Sequence, residues 1–266
     1  MQYLFDSWPE LSADIKAAPH LLLLSDYDGT LTPIVGRPEE AVLSPGVREK
    51  LRALARKPSA SVGIISGRSL SELKGMVAIE GIYYAGNHGL EIAGPGLKYV
   101  HPQAEAARAT MQKLAAQLAE ALENIDGVII QEKGLSVSVH YRLAKPENED
   151  AVTSAVKRVT APHVDKGEIR VYPMKKVWEI RPPVNWDKGK AVEFIGSEIK
   201  ANFKLPRLLT IYLGDDTTDE DAFKVLCRPE GWSIFVGEAN PSSSADYFLS
   251  STAEVGEFLS RLIELR

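Results

Sequence analysis

The chain has 266 residues, 44% of them apolar and 25% charged, the composition of an ordinary folded protein. At roughly 100–200 residues per domain, that length allows one large domain or two small ones, with a core that needs no covalent staples. Its 31 basic and 36 acidic residues give a net charge of −5 and an isoelectric point near 5.7, which excludes the broad basic footprint of a general nucleic-acid binder. The single cysteine, Cys227, excludes an intrachain disulfide and a cysteine-rich zinc site; it is read as a small buried hydrophobe. No run approaches the roughly 18 apolar residues of a membrane span. Met1–Glu10 contains Asp6 and Glu10 and no basic leader. A cytoplasmic protein without a membrane partner is expected.

Strand and helix signals then alternate along the chain. Leu21–Ser25 is a short all-apolar run before a turn, as in a buried parallel strand. Ser44 is placed to cap a helix with Pro45 in its first turn, and Val47, Leu51 and Leu54 follow at helical spacing. Ser61–Ser66 and Gly81–Tyr84 read as further strands, with Leu90–Ala93 pairing nearby. The pattern changes after residue 102. Ala104–Asn124 reads as one long amphipathic helix, Gly127–Gln131 and Leu135–Arg142 as antiparallel strands, and Glu147–Thr160 as a helix. Ile169–Tyr172 and Val177–Arg181 are strands before Pro182-Pro183. Then come a helix over Lys188–Lys200, a strand over Leu208–Leu213 and a helix over Asp219–Leu226. Short strands at Ser233–Val236 and Tyr247–Leu249 and a helix over Val255–Leu265 close the chain. The expected architecture is α/β: residues 1–102 and 183–266 form a doubly wound parallel core with helices on both faces, and residues 103–182 form an inserted α+β domain.

Two acidic loops follow strands. Ser25-Asp26-Tyr27-Asp28-Gly29-Thr30 comes directly after the leucine run. Ligands of open parallel sheets bind beyond the carboxyl ends of the strands, and two carboxylates there repel unless a cation or a shared proton relieves them. A bare Asp-x-Asp is equally an Asx-type turn. In Gly214-Asp215-Asp216-Thr217-Thr218-Asp219-Glu220-Asp221, five of the seven residues from Asp215 onward are acidic. Asp219, Glu220 and Asp221 suit the first turn of a helix, whereas Asp215 and Asp216 precede it. The pair of loops reads as one divalent site, and oxygen-only ligands favour Mg²⁺ over zinc. Ser66-Gly67-Arg68 offers either a helix N-cap or a hydroxyl with backbone N–H groups for a phosphoryl oxygen. Lys188, at a helix start, opposes the dipole and calls for an anion, or else is solvated. From Lys166 to Lys190 there are seven basic and three acidic residues, which suits an anionic substrate. His88 stands on the glycine-flanked loop Gly86-Asn87-His88-Gly89.

These motifs, in this order, resemble the haloacid dehalogenase phosphatase superfamily. Asp26-Tyr27-Asp28-Gly29-Thr30 is similar to its first motif, Ser66 to its second, Lys188 to its third and Gly214-Asp215-Asp216 to its fourth. More narrowly, Tyr84–Glu91, Glu132-Lys133-Gly134, His140-Tyr141-Arg142, Lys176–Pro182 and Gly214–Phe223 resemble the trehalose-6-phosphate phosphatases, over about residues 20–250. The resemblance implies a Rossmann-like core with a C2B-type cap and phosphoryl transfer through an aspartyl-phosphate. Asp26 would be the nucleophile and Asp28 the general acid and base. Asp26, the carbonyl of Asp28 and Asp215 would hold Mg²⁺, with Asp216 or Asp219 assisting through water. Ser66 and Lys188 would hold the phosphoryl group, with Gly67, Arg68, Asn87 and His88 as further substrate contacts. Cap residues Glu132, Lys133, Arg142, Lys176 and Glu179 would bind the sugar hydroxyls. The expected function is hydrolysis of trehalose 6-phosphate by a monomer. The alternatives are another phosphorylated sugar or glycoside such as sucrose or glucosylglycerate phosphate, a phosphomutase, or a non-catalytic sugar-phosphate sensor.

Overall fold

The computed structural model describes residues 1–266. They form two compact units, Met1–Tyr99 with Trp186–Arg266, and Val100–Asn185. The chain opens with strand β1 (Gln2–Tyr3) and helix α1 (Trp8–Ala17), followed by β2 (Leu21–Ser25), α2 (Pro45–Ala55), β3 (Ala60–Ile65), α3 (Leu70–Val77), β4 (Tyr83–Gly86), β5 (Glu91–Gly94) and β6 (Leu97–Val100). The second unit contributes α4 (Pro102–Ala106), α5 (Arg108–Leu122), β7 (Ile129–Glu132), β8 (Val137–His140), α6 (Glu149–Asp165), β9 (Arg170–Met174) and β10 (Val177–Arg181). The chain then returns to the first unit with α7 (Lys188–Phe203), β11 (Leu209–Gly214), α8 (Glu220–Val225), β12 (Gly231–Val236), β13 (Tyr247–Leu249) and α9 (Thr252–Leu265).

The first unit is built on a nine-stranded sheet of order β1-β13-β12-β11-β2-β3-β4-β5-β6. Its inner strands pair in parallel, and β5 runs antiparallel to β4. Parallel strands covered on both faces read as near-continuous apolar runs, and the four leucines of β2 supply one, closed by the buried Ser25. Leu21 and Leu23 join a cluster with Leu51, Leu54, Phe258 and Leu259 on one face. Leu22 and Leu24 join Val192, Ile195 and Ile199 of α7 on the other. Capping fixes the helix starts. Ser44 Oγ accepts from Val47 N at α2, Ser69 Oγ from Glu72 N at α3, and Asp187 Oδ1 from Lys190 N at α7.

The winding reverses between β2 and β11. From β2 the sheet grows through β3 and β4, and from β11 it grows through β12 and β13. A crevice opens at the carboxyl ends of two such strands, and both acidic loops lie there.

The residues ahead of the leucine run extend the core. Strand β1 pairs with the β13 edge, and Leu4, Leu11 and Ile15 are buried in the same cluster as α9. The second unit is a four-stranded antiparallel sheet, β7-β8-β10-β9. Val137, Val139 and Ile180 on one face pack with Met111, Leu114, Leu118, Val152 and Val156 of α5 and α6. The helix expected over Ala104–Asn124 is interrupted at Ala107, where α4 ends and α5 begins. Cys227 corrects the buried reading: it is exposed, in the turn between α8 and β12. No helix is long and apolar enough to cross a membrane.

Candidate active site

Strand β2 delivers Asp26 to the crevice. Its backbone N–H donates to Leu213 O of β11 at 2.8 Å, which extends the ladder one residue past the end of β2. The carboxylate is buried, and Lys188 Nζ lies 3.0 Å from its Oδ1. Lys188, also buried, donates at 2.7 Å to Asp219 Oδ1. Tyr212 Oη donates to the same oxygen at 2.6 Å. The other oxygen of Asp219 accepts from the backbone N–H of Asp215 and of Asp216, each at 3.1 Å. Asp219 is thus the fully buried centre around which the second acidic loop is wound.

Asp215 is brought to the same place. One oxygen each from Asp26, Asp215 and Asp219 lie within 4.8 Å of one another. Thr30 Oγ1 donates to Asp215 Oδ1 at 3.1 Å. Two glycines make the convergence possible. Gly29 has φ +84°, and a Cβ on it would meet Asp215 Oδ2 at 2.0 Å, so the position needs both a left-handed backbone and no side chain. A Cβ on Gly214 would meet the Asp219 carboxyl carbon at 2.3 Å.

The electrostatics follow from this crowding. Burial pushes the Asp26 carboxyl well above its ordinary value; Lys188 opposes the shift, and Asp219, Asp215 and Asp28 add to it. Burial, followed by Asp219, pushes Asp215 up to about 7. Burial alone would lower the pKa of Lys188, but Asp219 and Asp26 outweigh it and hold the ammonium charged. Hard oxygen donors with more negative charge than one ammonium offsets are the donor set a small divalent cation fits.

Asp28 is placed differently. Arg68 grips it in a fork, Nε to Oδ2 at 2.8 Å and Nη2 to Oδ1 at 2.7 Å. Arg68 also donates from Nη1 to Glu72 Oε1 at 2.5 Å and from Nη2 to Pro38 O at 2.7 Å, and its guanidinium lies 5.5 Å from the centre of the Tyr27 ring. Ser66 stands at the carboxyl end of β3, beside β2, with its Oγ accepting from Arg68 N at 3.2 Å. The loop after β4 is sewn to it. His88 N donates to Ser66 O at 2.8 Å and Asn87 N to Arg68 O at 2.7 Å. The His88 ring covers Gly67, where a Cβ would fall 2.7 Å from it, and the Asn87 amide donates to Glu91 at 2.7 Å.

Asp216 is not among the converging carboxylates. Its side chain is turned outward to cap Thr217, accepting from the backbone N–H at 2.6 Å. In the second unit, Lys133 and Glu179 form a buried ion pair at 3.2 Å, and Ser138 Oγ also donates to Glu179. The other three cap candidates are not brought to that pair. Glu132 is exposed and accepts from Gly134 N at 2.6 Å. Arg142 is exposed beyond β8. Lys176 is paired with Glu149 and lies 5.7 Å from the centre of the Tyr141 ring.

Tyr212, Thr30 and Ser138 escaped the sequence reading. Ser138 carries a signal, a hydroxyl between Val137 and Val139 in a period-2 strand. Tyr212, inside a buried strand, carries none beyond its phenol.

The model of the family described as trehalose-phosphatase matches residues 24–253. A probable trehalose-phosphate phosphatase D of Arabidopsis thaliana is 36% identical over 266 residues, covering 95% of this chain and 69% of that protein. A trehalose-phosphate phosphatase of Mycobacterium tuberculosis is 37% identical over 254 residues, covering 94% of this chain and 63% of that protein. Among solved structures, the C-terminal domain of a C. albicans trehalose-6-phosphate phosphatase superposes with a TM-score of 0.80 at 27% identity, covering 97% of each chain.

Proposed function

The chain belongs to the trehalose-phosphatase family, and from that premise we propose that it hydrolyses trehalose 6-phosphate to trehalose and phosphate through an aspartyl-phosphate on Asp26. The observation that carries this reading is the buried Asp26 carboxylate at the sheet's switch point, held 3.0 Å from Lys188 and backed by Asp215 and Asp219. A nucleophile for phosphoryl transfer must meet an anion, and only a local cation makes that approach favourable.

In the first half-reaction an Asp26 oxygen attacks phosphorus, and the bond from phosphorus to the sugar oxygen breaks. Asp28 gives its proton to that leaving oxygen. In the second, Asp28 takes a proton from water as the water oxygen attacks phosphorus. The acyl phosphate then breaks, and Asp26 returns as a carboxylate with phosphate released. For both duties the Asp28 carboxyl must leave the Arg68 fork in which it lies. Ser66 Oγ and Lys188 Nζ hold phosphoryl oxygens and offset their charge. The donor set of Asp26 and Asp215, with the carbonyl of Asp28, suits Mg²⁺. Asp219, whose oxygens already accept four hydrogen bonds, supports the site through Lys188 and the loop backbone. A bound Mg²⁺ supplies charge neutralisation at the attacking carboxylate and the phosphoryl oxygens. On the second unit, the Lys133–Glu179 pair with Ser138 offers the juxtaposed donors and acceptors that a sugar's hydroxyls need.

Phosphate release from a panel of sugar phosphates, with and without Mg²⁺, tests the reading. Trehalose 6-phosphate should be turned over far faster than glucose 6-phosphate or sucrose 6-phosphate, and only with the metal. Equal rates on glucose 6-phosphate overturn the substrate assignment.

A further inference from the structure

We propose that Tyr212 is a positioning residue of the reaction: its hydroxyl, shared on one oxygen of Asp219 with Lys188, sets how far the lysine ammonium is committed to Asp26. The inference rests on the reading of Asp26 as nucleophile and extends it to a residue that touches neither substrate nor Asp26.

Asp219 has about four acceptor positions on its two oxygens. All four are filled: Lys188 Nζ and Tyr212 Oη on Oδ1, and the backbone N–H groups of Asp215 and Asp216 on Oδ2. The two N–H donors belong to the loop and cannot leave. Lys188 divides its ammonium between two carboxylates, 2.7 Å from Asp219 and 3.0 Å from Asp26. The division is set by competition. While the Tyr212 hydroxyl occupies part of Oδ1, Asp219 is a weaker claimant on the lysine. Remove the hydroxyl, and Oδ1 has one donor left and draws Lys188 inward, away from Asp26. The loss falls where charge on Asp26 and on the incoming phosphoryl group must be offset.

Tyr212 is well placed to do this and little else. It sits on β11, is fully buried, and packs edge-on to Phe223 with ring centres 5.9 Å apart. That ring contact anchors the hydroxyl and survives replacement by phenylalanine.

The test separates hydroxyl from ring. Tyr212→Phe and Tyr212→Leu are assayed on whichever phosphate monoester the wild type turns over fastest, so the outcome does not depend on trehalose 6-phosphate being the substrate. A failed nucleophile assignment shows itself separately, as an active Asp26→Asn. The expected result for Tyr212→Phe is a fall in kcat of about tenfold, the scale of one hydrogen bond to a charged group. Substrate KM should stay within threefold, and the melting temperature within a few degrees of wild type. A merely structural tyrosine would move the melting temperature and leave kcat of the folded enzyme unchanged. The proposal is overturned if Tyr212→Phe keeps kcat within twofold of wild type, including the case in which only Tyr212→Leu loses activity.

Discussion

Arg68 and Asp28 meet in a two-pronged ion pair, with Nε 2.8 Å from Oδ2 and Nη2 2.7 Å from Oδ1. Two further N–H groups of the guanidinium are engaged, Nη1 on Glu72 and Nη2 on Pro38 O. Such a fork carries direction as well as charge. It holds the second aspartate of the first motif in one orientation and turns most of the guanidinium's donors towards protein acceptors.

The two partners should therefore fail differently. Asp28→Ala removes the carboxyl proposed as proton donor and acceptor, and on that proposal kcat should fall by about 10²–10⁴, the usual contribution of a positioned acid or base. Arg68→Ala leaves Asp28 in place but unheld. It should cost about 1.5 kcal/mol of stability, the low end for a hydrogen bond to a charged group because the Asp28 side chain is 40% exposed, and it should lower kcat by much less than Asp28→Ala. Steady-state kinetics beside urea denaturation check both. Equal losses of kcat in the two variants would show that Arg68 does more than hold Asp28.

Asp26→Asn should abolish turnover and keep the fold. The amide fills the same volume, and Lys188 retains Asp219 at 2.7 Å. One of three crowded carboxylates is gone, so the melting temperature of the metal-free protein should hold or rise. Phosphate release and circular dichroism on the same sample decide it. Activity near that of wild type would remove Asp26 from the mechanism.

The pH dependence of metal binding follows from Asp215. Burial and Asp219 raise its pKa to about 7, from 3.8 for a free carboxyl. The sign runs against the folded state. Between about pH 4 and pH 7 the unfolded chain has already released this proton while the metal-free folded protein keeps it, so stability falls as pH rises through that window. Above 7 the ionised carboxylate stands beside Asp219, only partly offset by Lys188 and the Thr30 hydroxyl. A divalent cation relieves it and must displace the proton below 7. Mg²⁺ should therefore bind more weakly at pH 6 than at pH 8 and release protons at pH 6. It should also raise the melting temperature more at pH 8. Calorimetric titration in buffers of different ionisation enthalpy reads the proton release directly, and Mg²⁺ affinity that is flat from pH 6 to pH 8 would contradict it.

The parallel core was legible because its inner strands bury both faces. Leu21–Ser25 falls where the residue pattern puts it, and the strand expected over Leu208–Leu213 forms one residue on, at Leu209–Gly214. The switch point was legible only indirectly, since two acidic loops after two apolar runs mark it without saying that the runs are neighbours. The β1 edge strand was not legible. Two residues carry no periodicity, and their pairing with β13 is long-range. In the site, Asp26, Asp215, Asp219 and Lys188 announce themselves by charge. Tyr212 does not, because a phenol in a buried strand looks the same whether its hydroxyl is used or not. The fork on Asp28 was hidden for a further reason. Arg68 follows Ser66-Gly67, which the sequence leaves open as a helix cap or a phosphoryl contact, and only the geometry shows its guanidinium turned to a side chain 40 residues away.

The Lys133–Glu179 pair offers a last test, in which stability and specificity part company. The side chains are only 7% and 3% exposed, and Arg181 Nε stands farther off, 3.8 Å from Glu179 Oε1, so breaking the pair takes the nearest counter-charge from a buried group. Lys133→Met or Glu179→Leu alone should destabilise by about 3–5 kcal/mol. The double replacement by two apolar residues of similar volume removes both charges together and should restore part of that loss, the remainder reflecting Arg181 and Ser138, which lose Glu179 as a partner. It should not restore discrimination among sugars. If the pair binds sugar hydroxyls, the double variant keeps its fold and its slow background hydrolysis of a small aryl phosphate, while its preference for trehalose 6-phosphate over glucose 6-phosphate collapses by about 10²-fold or more, the penalty of losing buried polar partners for a hydroxylated substrate. A folded double variant with an unchanged preference would place sugar recognition elsewhere on the cap.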